Sequence, residues 1–401
     1  MTDKYKKTVF ERNPIITLSL VSLFFLLLID FSVTRYISSI SSKKEQNMAS
    51  VISGTRISHP VYHHTFSPNY SEIIEHSVLN LRWREDTNSL GFKDNKIREI
   101  NLKSNDHRIV FIGDSITEGI GYTFDDTFVG IISNSLKDEG VEVLNAARVS
   151  YSPIIYWRKI KFLIEDEGLD FDELIVLVDM SDIQDEHEIY KLDENQNVIN
   201  KEVSDNYLKA RELVIKGDNT LPFTNDKNVK DFLISVRKWI TDNTTFTYFI
   251  ANSIYDLAFD EKTRVPYLYL QKDYTRFSWP YYEKAYNEFA VEGIKNSINY
   301  MDLLLKLLKD HNIKLTVGVY PLPNNIYFDE KNSKHVKVWR DWTNENNVGF
   351  FNLFPKLVDS TKSKKEKMRL IDEYYIKYDM HFNHKGHSMF AQEFLNFYKS
   401  D

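Results

Sequence analysis

Apolar residues gather along this chain in short unbroken blocks, separated by longer stretches in which they recur every three or four positions. Arg108-Ile-Val-Phe-Ile-Gly113 is such a block, stopped by a glycine, and it reads as a buried strand. Further strands read at Leu174–Asp179, again unbroken, and at Val141–Asn145, Ile313–Tyr320 and Val348–Asn352, where single polar residues or glycines such as Glu142, Lys314 and Gly349 interrupt the apolar ones. Between the blocks, Asp126–Leu136, Trp157–Glu165 and Ile294–Lys309 space their apolar residues as one face of a helix, and Gly140 follows the first of these. Lys385–Tyr398 closes the chain with Met389, Phe390, Phe394 and Leu395 on such a face. Strands alternating with helices predict a parallel sheet covered on both sides, a three-layer α/β/α domain. Chemistry in such a sheet collects beyond the carboxyl ends of its strands, where Ser115, Asp179 and Tyr320 fall.

The ends of the chain and one long interval depart from this alternation. Residues 1–13 are polar, with Lys4, Lys6, Lys7 and Arg12, and residues 14–34 are almost wholly apolar apart from Asp30. That length matches the roughly 20 residues a helix needs to cross a bilayer. A cleavable signal peptide is the rival, disfavoured because no small-x-small cleavage site follows at once. The basic tail predicts an inner-membrane, single-pass chain whose C-terminal part is exported or periplasmic, although Arg35, Lys43 and Lys44 vote the other way. Residues 35–50, rich in Ser and Lys, read as a tether, and residues 51–105 as an extension packed on the main domain, which occupies 106–401. Within that domain, the interval from about 183 to 280 is too long for a connection and reads as a helical insertion. Its later part, Val229 to Phe259, carries Phe232, Trp239, Phe246, Tyr248, Phe249 and Tyr255, which serve either packing or a lid.

Composition narrows the chemistry. A net charge of −7 without a long basic run excludes a nucleic-acid footprint, and zero cysteines exclude disulfides, thiolate metal sites and a cysteine nucleophile. His59, His63, His64 and His76 fit no established ligand spacing, so no metal is expected.

Ser115 lies just past the first strand, in Gly113-Asp114-Ser115-Ile-Thr117-Glu118. On this stretch alone two readings stand level: a nucleophile, or the start of a capping box closed by Glu118. The balance shifts with Asp379-Met-His381-Phe-Asn383 in front of the last helix. A serine hydroxyl needs a base to take its proton, and an imidazole titrates near neutrality. Asp379 then orients His381, and Asn383 caps the final helix.

Gly113-Asp114-Ser115 behind a buried strand, with an Asp-x-His block before a last helix, resembles the SGNH/GDSL hydrolases, serine esterases and acyltransferases of flavodoxin-like α/β/α fold. The resemblance covers roughly residues 106–182 and 313–398. It implies catalysis by Ser115, His381 and Asp379, an oxyanion hole from Ser115, Ser150 and Ser181, and supporting roles for Asp114, Asp182 and Asn383, with no cofactor. Three departures stand out. Asp379 is two residues before the histidine rather than three, with Asp372 as a poorer substitute; Ser150 replaces a glycine; and Asp179-Met-Ser181-Asp182 replaces Gly-x-Asn-Asp. The Tyr320-Pro-Leu-Pro323 segment reads as a stiff rim loop or an ordinary turn, Asp185, Glu186 and Glu188 as a solvated loop in preference to a cation or substrate-hydroxyl site, and His384 and His387 as helix-surface residues, with a place behind the catalytic groups as the alternative for His387. The implied function is an esterase or O-acyltransferase on acyl esters, chiefly acetyl, of an envelope or exported polysaccharide. The alternative is a non-catalytic carbohydrate-binding or scaffold protein.

Overall fold

The computed structural model describes residues 12–76, 81–202, 247, 275–377 and 379–400. Two compact units divide the chain, 1–50 with 216–264 and 51–215 with 265–401. To the first belongs most of helix α1 (Pro14–Thr55), together with Thr247, whose N–H donates to the Asp30 carboxylate at 2.6 Å. From Pro14 to Arg35 this helix has a mean hydropathy of 2.3 and leaves Ile15, Leu18, Phe24, Phe25 and Ile29 exposed. Among the described residues it is the one helix long and apolar enough to cross a membrane, and its position equally fits a signal sequence. The helix runs on through residues 35–50, the stretch expected to be a tether. Lys4, Lys6 and Lys7 and the aromatic stretch Val229 to Phe259, apart from Thr247, lie outside the described residues.

The second unit is organised by an eight-stranded sheet. Its parallel part comprises β6 (His107–Gly113), β7 (Val141–Asn145), β8 (Glu173–Val178), β11 (Lys314–Val319) and β12 (Gly349–Asn352), the five strands that the apolar blocks predict. Across the sheet they run β7-β6-β8-β11-β12. In order of appearance that is 2-1-3-4-5, the doubly wound arrangement whose reversal point opens a crevice at the carboxyl ends of the first and third strands. Residues 51–105 do more than pack on this domain. A hairpin, β1 (Arg56–His59) with β2 (His63–Phe66), precedes β3 (Ser71–His76), β4 (Leu81–Thr87) and β5 (Lys93–Asp94), and these last three extend the sheet antiparallel from the β7 edge. The turn between β4 and β5 is tied by Asn88, whose side-chain oxygen accepts from the Leu90 and Phe92 N–H groups.

Helices α2 (Ser115–Glu118), α3 (Phe128–Leu136), α4 (Pro153–Glu165), α5 (Asp182–Glu188), α6 (Val291–Asp310), α7 (Pro323–Phe328), α8 (Lys334–Asn346), α9 (Lys364–Tyr374) and α10 (His384–Tyr398) fill the outer layers. The first part of the expected insertion is integral to the unit: after α5 comes the hairpin β9 (Tyr190–Leu192) with β10 (Val198–Asn200). On one side, α3 and α10 pack together over the sheet through an aromatic layer. The Phe128 and Phe390 rings stack at 4.0 Å, and Phe394 meets Phe111 of β6 at 5.2 Å and Phe351 of β12 at 5.4 Å. Truncating one such buried aromatic costs roughly 3–5 kcal/mol. This packing fixes the start of α10, and with it the residues just before that helix.

Two expectations about loops give way to burial. Asp185 and Glu186 lie on α5 at 3% and 1% exposure, where Arg276 pairs with Asp185 at 2.8 Å and Glu186 accepts from Ser152 Oγ and the Ile154 N–H. Tyr320 and Leu322 are also buried, and Pro323 starts α7, so the segment after β11 is a packed connection rather than a rim.

Candidate active site

Ser115 is the first residue of α2, directly beyond β6, and only 7% exposed. The handover from strand to helix needs a glycine. A Cβ on Gly113 would lie 2.3 Å from Thr117 Oγ1 and 2.9 Å from the Leu177 carbonyl oxygen. Asp114 caps α2, and the Glu118 carboxylate turns away to Arg148 at 2.6 Å and the Val149 N–H at 2.6 Å. The capping-box reading of Ser115 therefore does not hold, and Glu118 instead anchors the loop after β7.

His381 arrives from the other end of the chain. Its Nε2 lies 2.9 Å from Ser115 Oγ and its Nδ1 2.5 Å from Asp379 Oδ1. The short spacing works because Asp379 folds back over one intervening residue, its Oδ1 also accepting the His381 backbone N–H at 2.9 Å, an Asx-type turn. Asp372 is exposed on α9 and takes no part in this pairing. The loop is braced by Asn383, whose oxygen caps α10 through the Gly386 N–H at 3.1 Å and whose amide donates to the Glu373 and Tyr375 carbonyls. Burial opposes the imidazolium, but the Asp379 charge and hydrogen bond outweigh it, so the His381 pKa is raised. For Asp379, burial likewise opposes the charged form and His381 outweighs it, so the carboxyl stays below its ordinary value. The two directions agree: the pair is poised as imidazolium and carboxylate once a proton arrives.

The three expected oxyanion donors converge on one group that belongs to the protein. The Ser115 N–H at 2.5 Å and the Ser150 N–H both donate to Asp114 Oδ1, and Ser181 Oγ lies 3.3 Å from Asp114 Oδ2. An acyl oxygen can take those donors only when the Asp114 carboxylate leaves them. Ser181 is committed further, because its hydroxyl lies 2.8 Å from Asp179 Oδ1 and has a single hydrogen to give. Ser150 holds φ at +64°, the left-handed region that a side chain disfavours by roughly 1–2 kcal/mol. Ser150→Gly is expected to keep the loop in place and raise stability by about 1 kcal/mol, read as a higher urea midpoint; a lower midpoint would contradict the strain.

Behind the serine, Asp114, Asp179 and Asp182 bring carboxylate oxygens within 4.8 Å of one another, the one group among the described residues spaced to hold an ion. Most of those oxygens are already engaged. Asp179 accepts from Ser181 and from Tyr320 Oη at 2.9 Å, while Asp182 Oδ2 accepts from Tyr156 Oη at 2.8 Å and the Asp179 N–H at 3.1 Å. Burial, reinforced by the Asp179 charge, pushes Asp114 up to about 7 and Asp182 well above the usual carboxylate range. Protons held on this cluster relieve the repulsion.

No protein-family model and no characterised relative matches this sequence. Among solved structures it is similar to an esterase from Pseudoalteromonas, with 10% identity over 74% of this chain and 98% of that one and a TM-score of 0.34. An acetyl xylan esterase gives 11%, 72%, 98% and 0.36, and a lipolytic G-D-S-L protein from Desulfitobacterium hafniense gives 9%, 73%, 99% and 0.35. Likenesses this remote decide nothing about chemistry. What decides the architecture is the 2-1-3-4-5 sheet with Gly113-Asp114-Ser115 at the end of its first strand and Asp379 and His381 before its last helix. The fold is a doubly wound three-layer α/β/α arrangement. Within that plan, several residues of the site escaped the sequence. Arg148 carried no signal, and Glu118 read only as the close of a capping box. Tyr156 carried no signal, whereas Tyr320 fell at a strand end where chemistry collects; their hydroxyls serve Asp182 and Asp179. His387, expected on a helix surface, is 1% exposed and accepts the Phe128 N–H, and burial pulls it down to about 3; His384 is exposed. The Asp179-x-Ser181 turn was legible in principle, since Asp two residues before an amide donor is an Asx-turn pattern.

Proposed function

We propose that this protein is a serine esterase or O-acyltransferase acting on acyl esters, chiefly acetyl, of an envelope or exported polysaccharide. The observation that carries the reading is the hydrogen-bonded line Ser115 Oγ, His381 Nε2, His381 Nδ1, Asp379 Oδ1, at 2.9 and 2.5 Å. Ser115 Oγ attacks the ester carbonyl carbon as its proton passes to His381 Nε2. Asp379 holds the Nδ1 hydrogen and stabilises the imidazolium. The tetrahedral oxyanion takes the Ser115 and Ser150 N–H groups once Asp114 has withdrawn. Collapse expels the alcohol, which leaves with the proton from His381, and the acyl group stays on Ser115. Water then gives acid and free serine, whereas a sugar hydroxyl gives a new ester.

A second reading is a non-catalytic carbohydrate-binding or scaffold protein, favoured by the Asp114 carboxylate at all three expected donors. The full chain in detergent, supplied with p-nitrophenyl acetate with and without an acceptor polysaccharide, separates the outcomes. Acetate release marks an esterase, and acetylated glycan formed at the expense of acetate marks a transferase. Turnover of neither kind, together with undiminished glycan binding, would establish the second reading instead.

A further inference from the structure

Beside the loop that presents Ser150 lies a cleft of about 520 Å³ between the β1–β2 hairpin and β10. Its polar wall is supplied by Arg56, Ser58, His59, His63, His64 and Asn200, with Pro60 and Val198 as apolar patches. No acidic side chain among the described residues lines it, although the chain carries a net charge of −7. Arg56 makes no ion pair among the described residues. Asp185 lies within electrostatic reach of Arg56 but is paired with Arg276, so the guanidinium has no carboxylate in direct contact, and in a polar wall that is a setting for an oxyanion.

Hydrogen-bond logic fixes how this wall meets the site. His64 Nε2 is 2.8 Å from the Val149 carbonyl, which can only accept, so Nε2 carries the hydrogen. His64 is buried at 2% exposure and held neutral, so its Nδ1 is bare and accepts from His63 Nδ1–H at 2.7 Å. His63 Nε2 lies 3.1 Å from Asn200 Oδ1; with the His63 hydrogen given to His64, a flip of that amide turns its NH₂ toward the bare Nε2 and completes the chain. The cleft wall is thereby joined, ring by ring, to the residue before Ser150. Two further bonds tie the same pieces. Tyr190 Oη donates to the Ser150 carbonyl at 2.8 Å, with its ring edge-on to His63 at 5.0 Å, and Tyr151 Oη donates to the His64 carbonyl at 2.6 Å. None of these contacts is needed to assemble Ser115, His381 and Asp379.

We propose that this cleft binds an anionic group, a carboxylate or a phosphate, carried by the polysaccharide, and that the substrate is therefore an acidic glycan. The binding claim stands on the cleft alone. Only the word substrate rests on the acyl-transfer reading. Arg56 pairs with the anion, His63 and Asn200 hold it in register, and the apolar patches take a sugar face. Occupancy bears on the Val149–Ser150 backbone through His64.

The test uses the full chain in detergent carrying Ser115→Ala, so that nothing is turned over. Binding of oligogalacturonate, of a neutral oligosaccharide of equal length and of inorganic phosphate is measured by calorimetry. Oligogalacturonate is expected to bind and the neutral glycan to bind about tenfold or more weakly, with Arg56→Gln losing about tenfold and Arg56→Lys retaining most of the affinity. Asn200→Asp, an exposed change that adds a negative charge to the cleft, is expected to weaken binding to a similar degree. Phosphate binding with the same dependence on Arg56, without oligogalacturonate binding, would assign the phosphate form of the same site. Equal affinity for charged and neutral glycans, no binding of either anion, or binding indifferent to Arg56→Gln and Asn200→Asp would overturn the proposal. Anion binding without Ser115-dependent turnover in the parent chain would instead retire the esterase reading and leave the cleft.

Discussion

Ser115→Ala and His381→Ala are each expected to lower turnover of an acetyl ester by about 10⁴- to 10⁶-fold, and the double variant by hardly more than either. The near-equality follows from geometry. The serine hydroxyl and Nε2 form one 2.9 Å hydrogen bond, so a serine without its base and a base without its serine fail at the same proton transfer. Neither change should disturb the fold, since α2 is capped by Asp114 and the His381 loop is braced by Asn383. Initial rates paired with unfolding midpoints check both halves. Losses that multiply in the double variant would mean that the two groups act in separate steps.

Asp379→Asn is expected to cost about 10⁴-fold, because an amide at the Nδ1 end no longer secures the working tautomer or stabilises the imidazolium. The pH dependence supplies a second reading with a definite sign. His381 must be neutral to act as a base, and its folded pKa lies above the ordinary 6.5 because Asp379 outweighs the effect of burial. The acid limb of kcat/KM in the wild type should therefore have its midpoint above 6.5. Removing the carboxylate charge leaves burial in command, so the residual activity of Asp379→Asn should show a limb displaced toward lower pH. The same linkage acts on stability. The raised His381 pKa contributes stability that is complete below the unfolded value and is lost as pH rises through the folded one. Asp379, with its depressed pKa, contributes stability above its unfolded value that is lost as pH falls. An unmoved acid limb in Asp379→Asn would show that some other group sets the base.

The fold was legible wherever burial wrote a periodic pattern. β6 and β8 read as unbroken apolar runs because a parallel sheet covered on both faces leaves little room for polar alternation, β7, β11 and β12 read from shorter apolar groups, and α10 read from Phe390 and Phe394. The extension was harder to read. The edge strand β3 and its neighbour β4 alternate too little, and β5 is two residues long, set in the sheet by pairing with β4 and β7 rather than by its own sequence. Ser115, His381 and Asp379 could be found because those residue types at strand and helix ends match a known pattern, and the fold joins them in one hydrogen-bonded line. The acids behind them could not. A carboxylate in sequence looks solvated, and only the fold reveals that Asp185 and Glu186 are buried or that Asp114 lies against the oxyanion donors. Ser150 shows both sides: its place was found by counting from Asn145, whereas the bonds that brace it come from Tyr190 and His64, far off in sequence and without any local mark.

The central claim is a covalent acyl transfer through Ser115, and a fluorophosphonate probe tests it most directly, since the probe bonds only to a serine whose proton is taken as it attacks. After exposure of the full chain in detergent and digestion, peptide mass spectrometry should find one phosphonyl adduct, on Ser115, formed far more slowly in His381→Ala and absent after prior unfolding. A folded protein that remains unlabelled at Ser115, or labels equally with and without His381, would contradict the account.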